Sequence, residues 1–149
     1  MDDDRVDTFE YDVFVSYRQV EPDLSWVHDV LVPRLKADRL HVFLDSESFR
    51  LAAPLITEMA RGVEVSRHTI AVITAGYLES GYTDLETVLA QHLSLEERRW
   101  RFLPVLRESV RPRLGIRAVL GLDMTDDARF EAQAVRLCAH LHSDPIASR

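Results

Sequence analysis

Five short apolar runs punctuate the chain, and the spacing of hydrophobic positions changes between them. "YDVFVSY" (11–17), "LHVFLD" (40–45), "HTIAVIT" (68–74), "RFLPVL" (101–106) and "AVLGLD" (118–123) are nearly continuous in β-branched, aromatic and aliphatic residues. Such runs read as strands buried on both faces. The intervening segments repeat at helical spacing. Trp26, Val27, Val30, Leu31 and Leu35 form one apolar face behind Asp23, a predicted N-cap, and Pro33 inside this helix should bend or split it. Ile56, Met59, Ala60 and Val63 mark a second helix, after a loop over 46–54. Leu85, Val88, Leu89, His92 and Leu93 mark a third, and a last helix from Asp126 to Leu141 should bury Phe130, Ala134, Leu137 and Leu141.

Strand and helix thus alternate without an internal repeat or linker, which implies right-handed crossovers and a parallel sheet covered by helices on both faces. The predicted fold class is α/β, a flavodoxin-like five-stranded parallel sheet in the order 2-1-3-4-5. Ligands of open sheets bind beyond the strand C-termini at the topological switch point, here between the first and third strands. That places Ser16 to Glu21, Asp45 to Pro54 and Thr74 to Glu86 around any site.

Composition narrows the picture. At 149 residues and 46% apolar content the chain makes about one domain with a substantial core. A net charge of −7 argues against direct nucleic-acid binding, and the Arg98, Arg99, Arg101 cluster reads as a solvated helix end. Cys138 is the only cysteine, so neither an intramolecular disulfide nor a cysteine zinc site is expected. No apolar run approaches the roughly 20 residues needed to cross a bilayer. The expected setting is cytoplasmic, with no membrane contact. Residues 1–10 read as a flexible acidic arm, 11–142 as the folded domain, and 143–149 as a tail or the start of a linker to a missing domain.

Several chemistries are absent. The five glycines make neither G-x-G-x-x-G nor a Walker loop, and the six histidines show no metal-binding spacing, so no metal is expected. A phosphoacceptor receiver would need an acidic cluster after the first strand and a lysine after the fifth, whereas Lys36 is the only lysine. One carboxylate stands out. In "LESGYTDLETVLAQH" (78–92), Thr83-Asp84-Leu85-Glu86 fits the capping-box pattern T-x-x-E, which would make Glu86 a helix cap. Asp84 reads as a surface charge that compensates the helix dipole.

Read together, "YDVFVSYR", "VFLD", "SRHTIAVIT" and "YLESGYTDLE" resemble a Toll/interleukin receptor (TIR) domain, especially of the bacterial type, over roughly residues 10–142. The resemblance implies one of two functions. Many such domains cleave NAD⁺ to nicotinamide and ADP-ribose or a cyclic form; others are non-catalytic modules that assemble TIR to TIR. Enzymatic members carry a Glu on the third helix, an aromatic four positions earlier and a Ser six positions earlier, which here are Glu86, Tyr82 and Ser80. The usual Trp-Cys is Tyr82-Thr83.

By this resemblance Glu86 is the catalytic carboxylate, Tyr82 and Ser80 bind substrate, and Tyr17 and Arg18 at the tip of the first strand are substrate contacts. Arg18 suits a phosphate oxygen. Asp45 opens the self-association loop, which includes Phe49, Arg50 and Pro54 but lacks the Gly common in relatives. Phe49 either anchors a neighbouring subunit or tucks back onto its own domain. The expected function is therefore an NAD⁺ glycohydrolase of a bacterial defence or signalling protein, activated by self-association. It needs no cofactor, because NAD⁺ is the substrate. The alternative is a signalling assembly module.

Overall fold

The computed structural model describes residues 9–110 and 121–143. Its strands are β1 (Tyr11–Ser16), β2 (Val42–Phe43), β3 (Ser66–Ile73), β4 (Phe102–Leu106) and β5 (Leu122–Asp123). They form one parallel sheet in the order β2-β1-β3-β4-β5, as the alternation of strand and helix predicted. β2 is shorter than its apolar run. Residues 118–120 of the expected fifth strand lie outside the described residues.

Because side chains alternate across a strand, β1 and β3 feed two cores. Val13, Val15, Ile70 and Val72 face one side, against Trp26, Val27, Leu31 and Leu35 and the terminal helix residues Ala134, Leu137 and Leu141. Phe14, Ala71 and Ile73 face the other, against Met59, Val63, Tyr77, Tyr82, Leu85 and Leu89. At about 25 cal/mol per Å² of apolar surface, each fully buried aliphatic side chain contributes about 1.5–3 kcal/mol.

The first helical segment departs from ideal spacing. It runs as α1 (Asp23–Trp26), a π-turn (Val27–Leu31) and α2 (Val32–Ala37), with Pro33 in the first turn of α2. The extra residue of a π-turn rotates the apolar face, so Val30, expected inside, is 38% exposed. Asp23 is not the N-cap: that position is Pro22, with no side-chain bond, and Asp23 is buried for another purpose described below.

The rest of the helices are α3 (Asp45–Ser48), α4 (Leu55–Val65), α5 (Ala75–Ser80), α6 (Tyr82–His92), α7 (Leu95–Arg101) and α8 (Phe130–His142). One turn, α3, falls in the expected loop, and α5 and α7 had no periodic pattern long enough to reveal them. Gly81 is the N-cap of α6, which begins one residue before Thr83, so the predicted Thr83–Glu86 capping box does not form. Starting at Tyr82 lets Tyr82, Leu85 and Leu89 share the buried face, and that burial outweighs one cap. His92, also expected inside, lies at the surface with Nδ1 3.0 Å from Glu64 Oε2. A capping box is instead present on α7, where Ser94 Oγ accepts from the Glu97 amide at 3.1 Å and Glu97 Oε1 from the Ser94 amide at 2.9 Å.

The arginine cluster is not uniformly solvated either. Arg101 is 9% exposed and donates to the carbonyls of Val63, Ser66 and Arg67 at 3.0, 3.0 and 3.2 Å, satisfying the chain where α4 turns into β3. Its guanidinium also lies over the Phe9 ring, and the Glu10 amide donates to Val65 O at 2.9 Å. Phe9 and Glu10, expected in the flexible arm, are thus held against the fold; residues 1–8, like the tail from 144, lie outside the described residues.

The two candidate caps separate in a stability measurement. Ser94→Ala should cost about 1 kcal/mol in urea unfolding, whereas Thr83→Ala should change stability by less than about 0.5 kcal/mol.

Candidate functional site

Three segments meet beyond the C-terminal end of β1: its own extension through Tyr17, Arg18 and Gln19, the loop over 45–54, and the corner between α5 and α6. They enclose a cleft of about 300 Å³ whose walls include Ser16, Tyr17, Arg18, Asp45, Phe49, Tyr77, Ser80 and Asp84. This is the switch point of the sheet.

Buried hydrogen bonds hold each wall. Thr74 Oγ1 accepts from the Tyr77 amide at 3.1 Å, which caps α5, and donates to Asp23 Oδ2 at 2.6 Å. Asp23 thus fixes the start of α5, and burial pushes its carboxyl above the usual range although the Thr74 bond opposes this. Ser16 Oγ and Tyr77 Oη lie 2.7 Å apart, joining the floor of β1 to α5. Burial pushes the Tyr77 phenol up, with Tyr82, Glu86 and Asp84 adding to the effect.

Tyr17 ties β1 to the loop. Its hydroxyl donates to Asp45 Oδ1 at 2.8 Å and lies 2.7 Å from His28 Nε2. A phenol has one hydrogen, so with that hydrogen on Asp45 it is His28 Nε2–H that donates to Tyr17. Burial, and then the Asp45 bond and charge, push the Tyr17 phenol far up.

The loop is locked near its centre by Glu58, which is 1% exposed. Its carboxylate accepts from the Arg50 amide at 2.8 Å, from Arg50 Nε and Nη2 at 3.0 and 2.7 Å, and from Arg61 Nη2 at 2.9 Å. The Arg50 and Arg61 bonds hold the Glu58 carboxyl down at about 2. Phe49 tucks back onto its own domain, its ring centroid 5.8 Å from Phe43 and 6.3 Å from Phe14. Within the loop Ala52 adopts φ 66°, the left-handed turn conformation, and Leu51 beside it is 97% exposed. Pro54 is the N-cap residue of α4.

The sequence profile described as TIR domain matches residues 13–138. The chain belongs to the TIR domain family. Among curated relatives, Toll-like receptor 6 of Mus musculus is 26% identical over 101 residues, covering 68% of this chain and 12% of that protein. Protein toll of Drosophila melanogaster is 25% identical over 103 residues, covering 68% and 9%. The chain therefore spans about a tenth of the length of these relatives. The TIR domain of the Toll-related receptor TRR-2 from Hydra magnipapillata superposes with a TM-score of 0.74 at 19% identity, covering 89% of this chain and 99% of that one. A metazoan TIR-STING receptor from C. gigas gives 0.72 at 16% identity, covering 92% and 42%. The TIR domains of the activated Roq1 resistosome give 0.63 at 16%, covering 87% and 98%. These structures share the fold.

Of the predicted site residues, this TIR domain brings Tyr17, Arg18, Ser80, Asp45 and Phe49 to the cleft wall. Tyr82 is not among them: it is 1% exposed, packed against Tyr77 at a centroid distance of 6.0 Å, and supports the wall from behind. Glu86 is half-buried on α6 and outside the cleft lining, although its charge reaches the Tyr77 phenol. Arg50 faces Glu58 rather than the cleft. Asp84, read from sequence as a plain surface charge, lines the cleft instead. Ser16 and Tyr77 lie within the segments expected around the site but had no role assigned from sequence, because the bond between them joins residues 61 apart. Among the described residues no helix is long and apolar enough to cross a membrane, and no cluster of His, Cys, Asp and Glu is placed to hold a metal.

A carboxyl whose folded value is depressed stabilises the fold above its unfolded value and loses that contribution as pH falls through the folded one. Glu58 moves from 4.5 to about 2, so stability should fall as pH drops through this window. In Glu58→Gln that part of the slope should be missing, as read by thermal melts from pH 5 to 2.

Proposed function

We propose that this TIR domain is an NAD⁺ glycohydrolase of a defence or signalling protein, activated by self-association. The observation that carries the reading is the cleft at the switch point, which sets a guanidinium and a hydroxyl, Arg18 and Ser80, beside the α6 start that bears the family's Ser, aromatic and Glu spacing. Arg18 lies against Gly76, where a Cβ would come within 2.5 Å of Nη1, so the small residue leaves the guanidinium room at the cleft edge. From there it is suited to a diphosphate oxygen.

Cleavage of the nicotinamide–ribose bond passes through an oxocarbenium-like state. Ordinary glycosidases use two carboxylates because the leaving oxygen must be protonated. Nicotinamide leaves from a pyridinium nitrogen that takes up the bonding pair and becomes neutral, so it needs no acid. Water bonds to the ribose carbon and releases a proton. One carboxylate, Glu86, then suffices to hold the ribose and face the developing positive charge. Tyr82 keeps α6 in place from beneath.

Glu86 sits outside the lining of the cleft in the single chain, which supports the second half of the reading: the competent form is an assembly in which contacts at loop 45–54 reshape the wall. Nicotinamide release is accordingly expected from clustered protein and nearly absent from dilute protein. Glu86→Gln should lower turnover by at least about 100-fold with an unchanged melting temperature; retained turnover in a folded Glu86→Gln would sink the catalytic assignment.

A second reading, a non-catalytic assembly module, is favoured by the exposure of Leu51 at 97%, Leu55 at 52% and Ile56 at 42% on and just beyond the same loop. Under it, Leu51→Asp abolishes self-association in sedimentation experiments and no clustering yields nicotinamide. Under the enzymatic reading the same substitution removes both assembly and turnover.

A further inference from the structure

Charge is distributed unevenly around the cleft. Among its described lining residues Arg18 is the one cation, opposed by the carboxylates of Asp45 and Asp84. Asp45 is committed to Tyr17. Asp84 is exposed and stands in the first turn of α6, and its carboxylate makes no hydrogen bond or ion pair among the described residues. An uncommitted carboxylate on a cleft wall has two oxygens with four acceptor sites to offer a ligand, and no donor. A vicinal diol, with two hydroxyl hydrogens side by side, is the neutral group that matches it.

We propose that Asp84 accepts from the adenosine ribose diol of the dinucleotide, and thereby makes the cleft take NAD⁺ and reject its 2′-phosphorylated form, NADP⁺. This rests on the cleft being a dinucleotide site. Asp84 and Glu86 are two residues apart on α6 and project to different sides of the helix, so each serves a different ribose. The pairing follows general dinucleotide chemistry, in which an acidic side chain receives the free 2′-hydroxyl and an arginine is needed to accommodate a 2′-phosphate. Among the described lining residues the one cation is Arg18, the group suited to the diphosphate. A 2′-phosphate would add about 1.5–2 negative charges beside Asp84 with nothing on the described wall to offset them.

Calorimetry on the full chain carrying Glu86→Gln, which removes turnover, tests this with NAD⁺ and NADP⁺ as probes at a concentration where the chain self-associates. NAD⁺ should bind at least tenfold more tightly than NADP⁺. Adding Asp84→Asn should weaken NAD⁺ and bring the ratio to within threefold, while Asp84→Glu, which keeps the charge and the helix-start dipole interaction, should retain the preference. Melting temperatures of all three report folding. A merely structural role would weaken both ligands equally, and an unchanged ratio in Asp84→Asn overturns the assignment. A ratio near one in the Glu86→Gln parent overturns it too, while leaving the dinucleotide site standing. Binding of neither ligand brings down the dinucleotide reading and this assignment together.

Discussion

The parallel pairing of β1 with β3 sets the geometry on which the site depends. Its register places Val13 opposite His68 and Ser16 opposite Ala71, so β1 ends two residues before β3 does. Chain order runs outward from these two strands in opposite directions, β1 to β2 and β3 to β4, and the connections therefore leave the sheet on opposite faces. The cleft is the gap they leave. Both strands are buried on both sides, so sliding one by a residue would turn Phe14 and Val15 toward the wrong cores. Hydrophobic burial fixes the register, and the register fixes the cleft.

Polar groups buried around that gap convert a rough location into a shape. Asp23, Thr74, Ser16 and Tyr77 are each less than 9% exposed and each is bonded to another of the four or to the backbone. A buried polar group left unpaired costs about 1–3 kcal/mol, so these contacts leave α5 few alternatives. Arg101 does the same on the opposite rim of the sheet, where three carbonyls converge on one guanidinium. In both places a residue type usually found at the surface is retained inside because the backbone there needs a donor or an acceptor.

The loop over 45–54 is fastened at its start and near its centre, and offered just beyond. Tyr17 holds Asp45 at its start and Glu58 holds Arg50 near its centre, while Leu51 stands almost fully in solvent. The fastening explains why Phe49 turns inward: with Arg50 drawn to Glu58, its neighbour is directed toward Phe14 and Phe43. The same loop supplies a wall of the cleft, so any contact made at Leu51 is mechanically close to the cleft.

Strand positions, their parallel order and the whereabouts of the cleft were legible in the sequence, because continuous apolar runs and helical spacing are local records of burial on two faces or one. Pro33 likewise announced a break in its helix, since a missing amide acts wherever the residue is placed. What the sequence by itself did not determine was which of several local options tertiary packing would select. T-x-x-E at 83–86 and S-x-x-E at 94–97 are equally good capping boxes as strings. Only the second forms, because the first lies inside a helix that starts earlier to bury Tyr82. Asp23 satisfied the rules for a cap and was used across 51 residues to hold Thr74. Asp84 and Glu86 differ by two positions, and only the packing angle of α6 against the sheet decided which carboxylate lines the cleft. Local patterns specify an element's existence; the direction in which a polar side chain is spent is settled by partners distant in sequence.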